Sequence, residues 1–127
     1  MEDADFSDEF CRFLHASVPS VQAAELLLLL AGDPAAALRP KDAAERLPAM
    51  GEAEAARILQ ALHANGLAMA DVDQSYQYRP SSEALQAHVQ MLAKAYEERP
   101  VTLIRIIYAL RDSKIRSFAD AFRVRKS

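Results

Sequence analysis

Between Glu52 and Pro80 the apolar residues of this chain change their spacing, and that change restricts the fold more than any other feature of the sequence. Ala55, Ile58, Leu59 and Leu62 recur at intervals of three, one and three, which lays them along one side of a helix from Glu52 to Asn65. Asn65-Gly66 then stops the helix, because Gly accepts the left-handed backbone that a helix C-terminus commonly needs. Past it the interval falls to two. Leu67 and Met69 alternate with Ala68 and Ala70, and Tyr76 and Tyr78 alternate with Gln77 and Arg79. The turn-rich stretch Asp71-Val72-Asp73-Gln74-Ser75 separates the two runs, so the sequence predicts a β-hairpin ending at Pro80.

Helical spacing surrounds this unit. Ser7 is placed to cap a helix carrying Phe6, Phe10, Phe13 and Leu14, which Pro19 interrupts. Ser20 starts a second helix through about Ala31, with Val21, Ala24, Leu27, Leu28 and Ala31 as its apolar stripe. Gly32-Asp33-Pro34 ends it, with Gly32 offering a left-handed cap. A loose Ala-rich connector follows, and Leu38 is its one large apolar residue. Pro40 suits the first turn of a short helix to Leu47, with Ala43, Ala44 and Leu47 facing inward. Pro48-Ala49-Met50-Gly51 reads as a turn. Ser81 or Ser82 opens a further helix, with Leu85, Val89, Leu92 and Tyr96 on one face and Arg99-Pro100 at its end. The expected fold class is therefore mainly α with a small β-hairpin, and 51% apolar residues are enough for one sizeable core.

The C-terminal part has a different character. Val101 to Leu110 is apolar on nearly every side, and such a helix needs cover on more than one side. The body of the chain supplies one cover, and a second subunit is the natural source of the other. The N-terminal face of Phe6, Phe10, Phe13 and Leu14 is the intramolecular alternative. Leu103, Ile104, Ile107 and Tyr108, with Phe118 and Phe122 further on, are thus the candidates for a homodimer or partner interface. Charge is unevenly spread as well. Residues 1–100 carry 16 acidic and 8 basic side chains, whereas residues 101–127 carry 2 and 7. The tail from Lys114 to Lys126 sets Arg116, Arg123, Arg125 and Lys126 against Ile115, Phe118 and Phe122. Its candidate partners are its own acidic body, an acidic protein, nucleic acid or an anionic membrane surface.

Other classes find little support. Cys11 is the only cysteine, which fits a reducing compartment. Cys11 and His15 have metal-ligand spacing, but His63 and His88 lie on separate elements, so no metal site or cofactor is expected. No G-x-S-x-G, P-loop or H-E-x-x-H is present, and an enzyme is not expected. Tyr76, Tyr78 and Tyr96 are expected to cover the core at the hairpin base, in preference to lining a small-molecule pocket. The acidic start Met1-Glu2-Asp3-Ala4-Asp5 is unlike a secretory signal, and the longest apolar run, Leu26 to Ala31, is too short for a membrane span. The expected location is cytoplasmic.

The order helix, short helix, tight turn, helix, hairpin, helix from Ser20 to Arg99 resembles the winged helix-turn-helix of bacterial transcription regulators, including the MarR-like group. The run Arg57-Ile58-Leu59-Gln60-Ala61-Leu62-His63-Ala64-Asn65-Gly66-Leu67 looks like the end of a recognition helix entering the first wing strand. The length fits one domain over residues 1–127, in which the resemblance covers a winged-helix core at 20–99, with an N-terminal helix in 1–19 and a C-terminal helical extension in 100–127. It implies that the Glu52–Asn65 helix enters the major groove of double-stranded DNA, with the hairpin around Asp73 along the phosphates or minor groove. By position, Glu52, Glu54, Arg57, Gln60 and Ala61 would face outward, Lys41 would sit near the start of the preceding helix, and Arg79 would leave the wing. Lys41, Arg57, Gln60 and Arg79 are the candidate DNA contacts. Against this, DNA affinity comes largely from phosphate neutralisation, and Glu52 and Glu54 oppose Arg57 as Asp71 and Asp73 oppose Arg79. Two expectations result. One is a dimeric DNA-binding transcription regulator; the other is a protein-interaction module of the same fold with little or no DNA binding, using its acidic face or basic tail.

Overall fold

Serine hydroxyls start three of the helices. Ser7 Oγ accepts from the Phe10 amide, Ser20 Oγ from Ala23 and Ser82 Oγ from Leu85, each at 3.1 Å. Each bond satisfies an amide that has no partner inside the first turn. The computed structural model of the protein describes residues 6–111. Those residues form, in order, α1 Asp8–Ser17, α2 Val21–Gly32, β1 Ala37–Leu38, α3 Pro40–Arg46, α4 Glu52–Ala64, β2 Ala68–Ala70, β3 Tyr76–Tyr78, α5 Glu83–Glu98 and α6 Pro100–Arg111. The architecture is mainly helical with a small antiparallel sheet of strand order β1-β3-β2.

α2 is the central element and touches α4, α5 and β3. Its Leu26, Leu27 and Leu30 are fully buried, as are Leu59 and Leu62 of α4, Leu67 and Leu92. Complete burial of one such side chain contributes about 1.5–3 kcal/mol. α1 meets α2 at 97° across the break at Val18-Pro19-Ser20 and packs on α6. The His88 ring of α5 stacks on Phe13 with centroids 5.2 Å apart, which ties α1 to α5 as well.

The exit from α4 sets the hairpin. The Leu67 amide donates to Leu62 O at 2.9 Å and the Gly66 amide to His63 O at 3.1 Å, with Gly66 at φ +80°. This pair of bonds satisfies two terminal carbonyls and needs a left-handed residue at its centre. Gly66 O then accepts from Ser81 N at 2.7 Å and Leu67 O from Arg79 N at 2.9 Å, closing the base of the hairpin. Asn65 Nδ2 donates to Ala61 O at 2.9 Å and to Ala16 O at 3.3 Å, joining the end of α4 to the end of α1.

Four expectations change. Gly32 is the last residue of α2 and has no left-handed backbone; the helix closes instead through Asp33 N donating to Leu30 O at 3.2 Å. The connector around Leu38 contains a strand, since Ala37 pairs with Gln77 and Leu38 with Tyr76, so the hairpin becomes a three-stranded sheet. The alternation around β2 holds only in part, since Leu67 is buried but Ala68 is buried too and Met69 is exposed. Ala68 lies opposite Tyr78 and Ala70 opposite Tyr76, and directly paired residues share a face. The two bulky tyrosines therefore sit over small alanines, and Met69 points outward with 40% exposure. In α6, Leu103, Ile106, Ile107 and Leu110 are buried within the chain, whereas Val101 and Tyr108 remain exposed.

A methyl group added at Gly66 would meet Ser81 Oγ at 2.5 Å as well as adopting an unfavourable φ. Gly66→Ala is expected to destabilise the fold by about 1–2 kcal/mol, read as a lower urea midpoint at unchanged slope. Ser81→Ala in the same background should recover the steric part. A Gly66→Ala protein as stable as the parent would remove the left-handed cap from this role.

Candidate nucleic-acid interface

α3 and α4 pack against each other across the turn at residues 47–51, and the buried Met50 anchors that turn. Their outer surfaces and the hairpin hold the candidate contacts. Along α4, Glu52, Ala53, Arg57, Gln60, Ala61, His63 and Ala64 are exposed, whereas Ala55, Ile58, Leu59 and Leu62 face the core. Counting from Arg57 at about 100° per residue, Ala53, Gln60, Ala61 and Ala64 fall within roughly 60° of it and form one stripe with it. Glu54 lies at the edge of the same stripe, and its Oε2 stands 3.8 Å from Arg57 Nη2. Glu52 does not share the stripe. It is five residues from Arg57, which turns it roughly 140° away. The stripe around Arg57 thus carries one acid beside one base, and Glu52, exposed as expected, lies on a different side of the helix.

Lys41 is exposed on the first turn of α3. Arg79 is exposed just past β3, its Nη1 lying 3.9 Å from Met69 Sδ. Two basic residues were not singled out from sequence. Arg46 is exposed in the last turn of α3. Arg39, before α3, reaches across 34 residues of sequence to Asp73 of the hairpin turn, with Nη2 to Oδ2 at 3.5 Å. Only the close pairing of β1 with β3 brings those two together.

The hairpin turn is organised by its aspartates. Asp71 N donates to Ser75 O at 2.9 Å and Gln74 N to Asp71 O at 3.0 Å, with Gln74 at φ 68°. Asp73 Oδ1 accepts from Ser75 Oγ at 2.7 Å and from Ser75 N at 3.1 Å. The Ser75 hydroxyl, then its amide, and more weakly Arg39, hold the Asp73 carboxyl below the usual carboxylate range. Val72 at the tip is 99% exposed. At the base of the hairpin, the exposed His63 ring lies 2.9 Å from the Ala68 carbonyl through Nδ1, which is therefore the donor nitrogen.

The three tyrosines do not converge on one site. Tyr76 is buried in the core, and Tyr96 donates to Glu25 Oε2 at 3.0 Å between α5 and α2. Tyr78 lines an open cleft of about 450 Å³ between α2 and α5, beside Leu28, Val89 and Gln90. Burial raises the phenol pKa of both Tyr78 and Tyr96.

Of the interface candidates, Leu103 and Ile107 belong to the core and present no surface to a second chain. Ile104 is half-buried and Tyr108 exposed, with the Arg111 guanidinium 5.7 Å above its ring. Phe118, Phe122 and the basic tail lie outside the described residues. Among the described residues no three His, Cys, Asp or Glu side chains gather as metal ligands, and Cys11 is buried where His15 is exposed. No single helix there is long and apolar enough to cross a membrane. Compared with protein-family models, with curated proteins and with solved structures, the chain matches none of them.

The order of the Asp73 turn should depend on pH. A carboxylate with a depressed folded-state pKa stabilises the fold above its unfolded pKa, and that contribution disappears as pH falls through the folded value. In an NMR titration from about pH 6 to about pH 2, the Ser75 amide should shift with a midpoint below the ordinary aspartate value of about 3.9. Asp73→Ala should abolish the shift. A midpoint at or above the ordinary value would contradict the bonding described here.

Proposed function

We propose that this protein is a winged-helix DNA-binding transcription regulator that acts as a homodimer, with the cytoplasm as its compartment. The observation that carries the reading is the order α2-β1-α3-α4-β2-β3 with strand order β1-β3-β2. In that arrangement α3 and α4 form the helix-turn-helix and β2-β3 the wing. α4 is the groove-entering helix, since its outward stripe bears Arg57 and Gln60 among alanines small enough to let the backbone approach base edges. Lys41, Arg46 and Arg79 supply phosphate contacts, and the basic tail adds to them.

This assignment has a quantitative signature. Three phosphate contacts per domain give a slope of about −3 in a plot of log affinity against log salt, or about −5 for both halves of a dimer, and a steeper slope counts the tail. Mobility shifts on duplex DNA should therefore be strong at about 50 mM salt, where non-specific electrostatic binding is greatest. Arg57→Glu, which sets an anion where a cation faced the groove, should weaken them, with the phosphate contacts left in place. No shift at that salt would sink the regulator reading.

The dimer rests on the exposed side of α6. Val101 is 66% and Tyr108 55% exposed, with Ile104 beside them, and a second copy would cover this patch. Light scattering at micromolar concentration should give a dimer, and Tyr108→Glu should shift it toward monomer. A parent protein that stays monomeric removes the role of this face.

A second reading has its own observation. Between residues 37 and 79, five basic side chains stand against six acidic ones, and the hairpin tip presents Asp71, Val72 and Asp73 together. That composition favours a winged-helix module that contacts a protein, and absence of a DNA shift is the result it expects.

A further inference from the structure

We infer that α4 reads a G·C pair through Arg57 and an A·T pair through Gln60, one or two base pairs apart in the same major-groove site. The inference rests on the DNA-binding reading above and assigns that site its base preference.

Geometry limits the choice. Arg57 and Gln60 are both exposed and lie one turn apart on the outward stripe. Three residues of helix rise about 4.5 Å, against about 3.4 Å between stacked base pairs, so the two side chains address neighbouring or next-but-one pairs. Arg57 keeps 73% of its side chain exposed, with Glu54 at 3.8 Å leaving it open to the groove. Their flanks are Ala53, Ala61 and Ala64, which cannot reach past them. Apart from Glu54, the stripe has no other long polar side chain.

Chemistry assigns the bases. A guanidinium has donors and no acceptor, and in the major groove guanine offers two adjacent acceptors, O6 and N7. A carboxamide has one of each, matching the N7 acceptor and N6 donor of adenine. The alanine methyls beside them are suited to contact with a thymine methyl, which gives the site its apolar border.

Selection from a randomised duplex library, using the purified full chain, tests this. The parent protein should enrich a G with an A one or two positions away, each favoured about 5- to 150-fold over other bases. Arg57→Gln should convert the G preference to A, and Gln60→Arg should convert the A preference to G. Such conversions cannot arise from misfolding. Two results overturn the inference and spare the DNA-binding reading: a retained pool without these bases, or variants that leave the selected sequence unchanged. Failure to retain any duplex at about 50 mM salt overturns both.

Discussion

The left-handed turn at Gly66 is the junction on which the fold depends. Through it the α4 carbonyls of Leu62 and His63 find donors, and the chain leaves the helix aimed into the sheet. The same residue accepts from Ser81 and so receives the chain again after the hairpin. Entry and exit of the hairpin are thus fixed within a few ångströms, and α5 starts immediately afterwards at Glu83. A residue with a β-carbon here would strain the backbone and crowd Ser81 together.

Features governed by local chemistry were legible in the sequence. A hydroxyl three residues before an amide makes a cap without help from the rest of the chain, and Ser7, Ser20 and Ser82 all do so. β1 was illegible because two residues cannot display a period; it exists because the outer edge of β3 has donors and acceptors to satisfy. The facing of β2 depended on its partner, since the register sets Ala68 and Ala70 beside Tyr78 and Tyr76 and Met69 beside Gln77. The spacing of Val101 to Leu110 showed an apolar helix but not which side the body would claim. The body claims Leu103 and Ile107.

The candidate surface divides in the same way. Arg57, Gln60, Lys41 and Arg79 could be picked out as polar residues flanking apolar stripes, and all four are exposed. Glu52 is exposed as well, although helical geometry sets it off the Arg57 stripe. The pairing of Arg39 with Asp73 spans strands that sequence does not connect. That ion pair sets a positive charge beside the acidic hairpin turn, while the overall balance of five basic to six acidic side chains between residues 37 and 79 is unchanged. Exposed pairs of this kind contribute little to stability, and its effect is on local field and turn position.

The sheet described above has edges of very short length, with two residues in β1 and three in β2. An added strand would find few unpaired backbone groups on either side, and Asp71 directly follows β2 with its carboxylate at the rim. The fold is therefore a poor template for strand-by-strand growth. A surface for joining further chains would have to be helical, where side-chain shape and charge, not an open ladder of amides and carbonyls, set the fit.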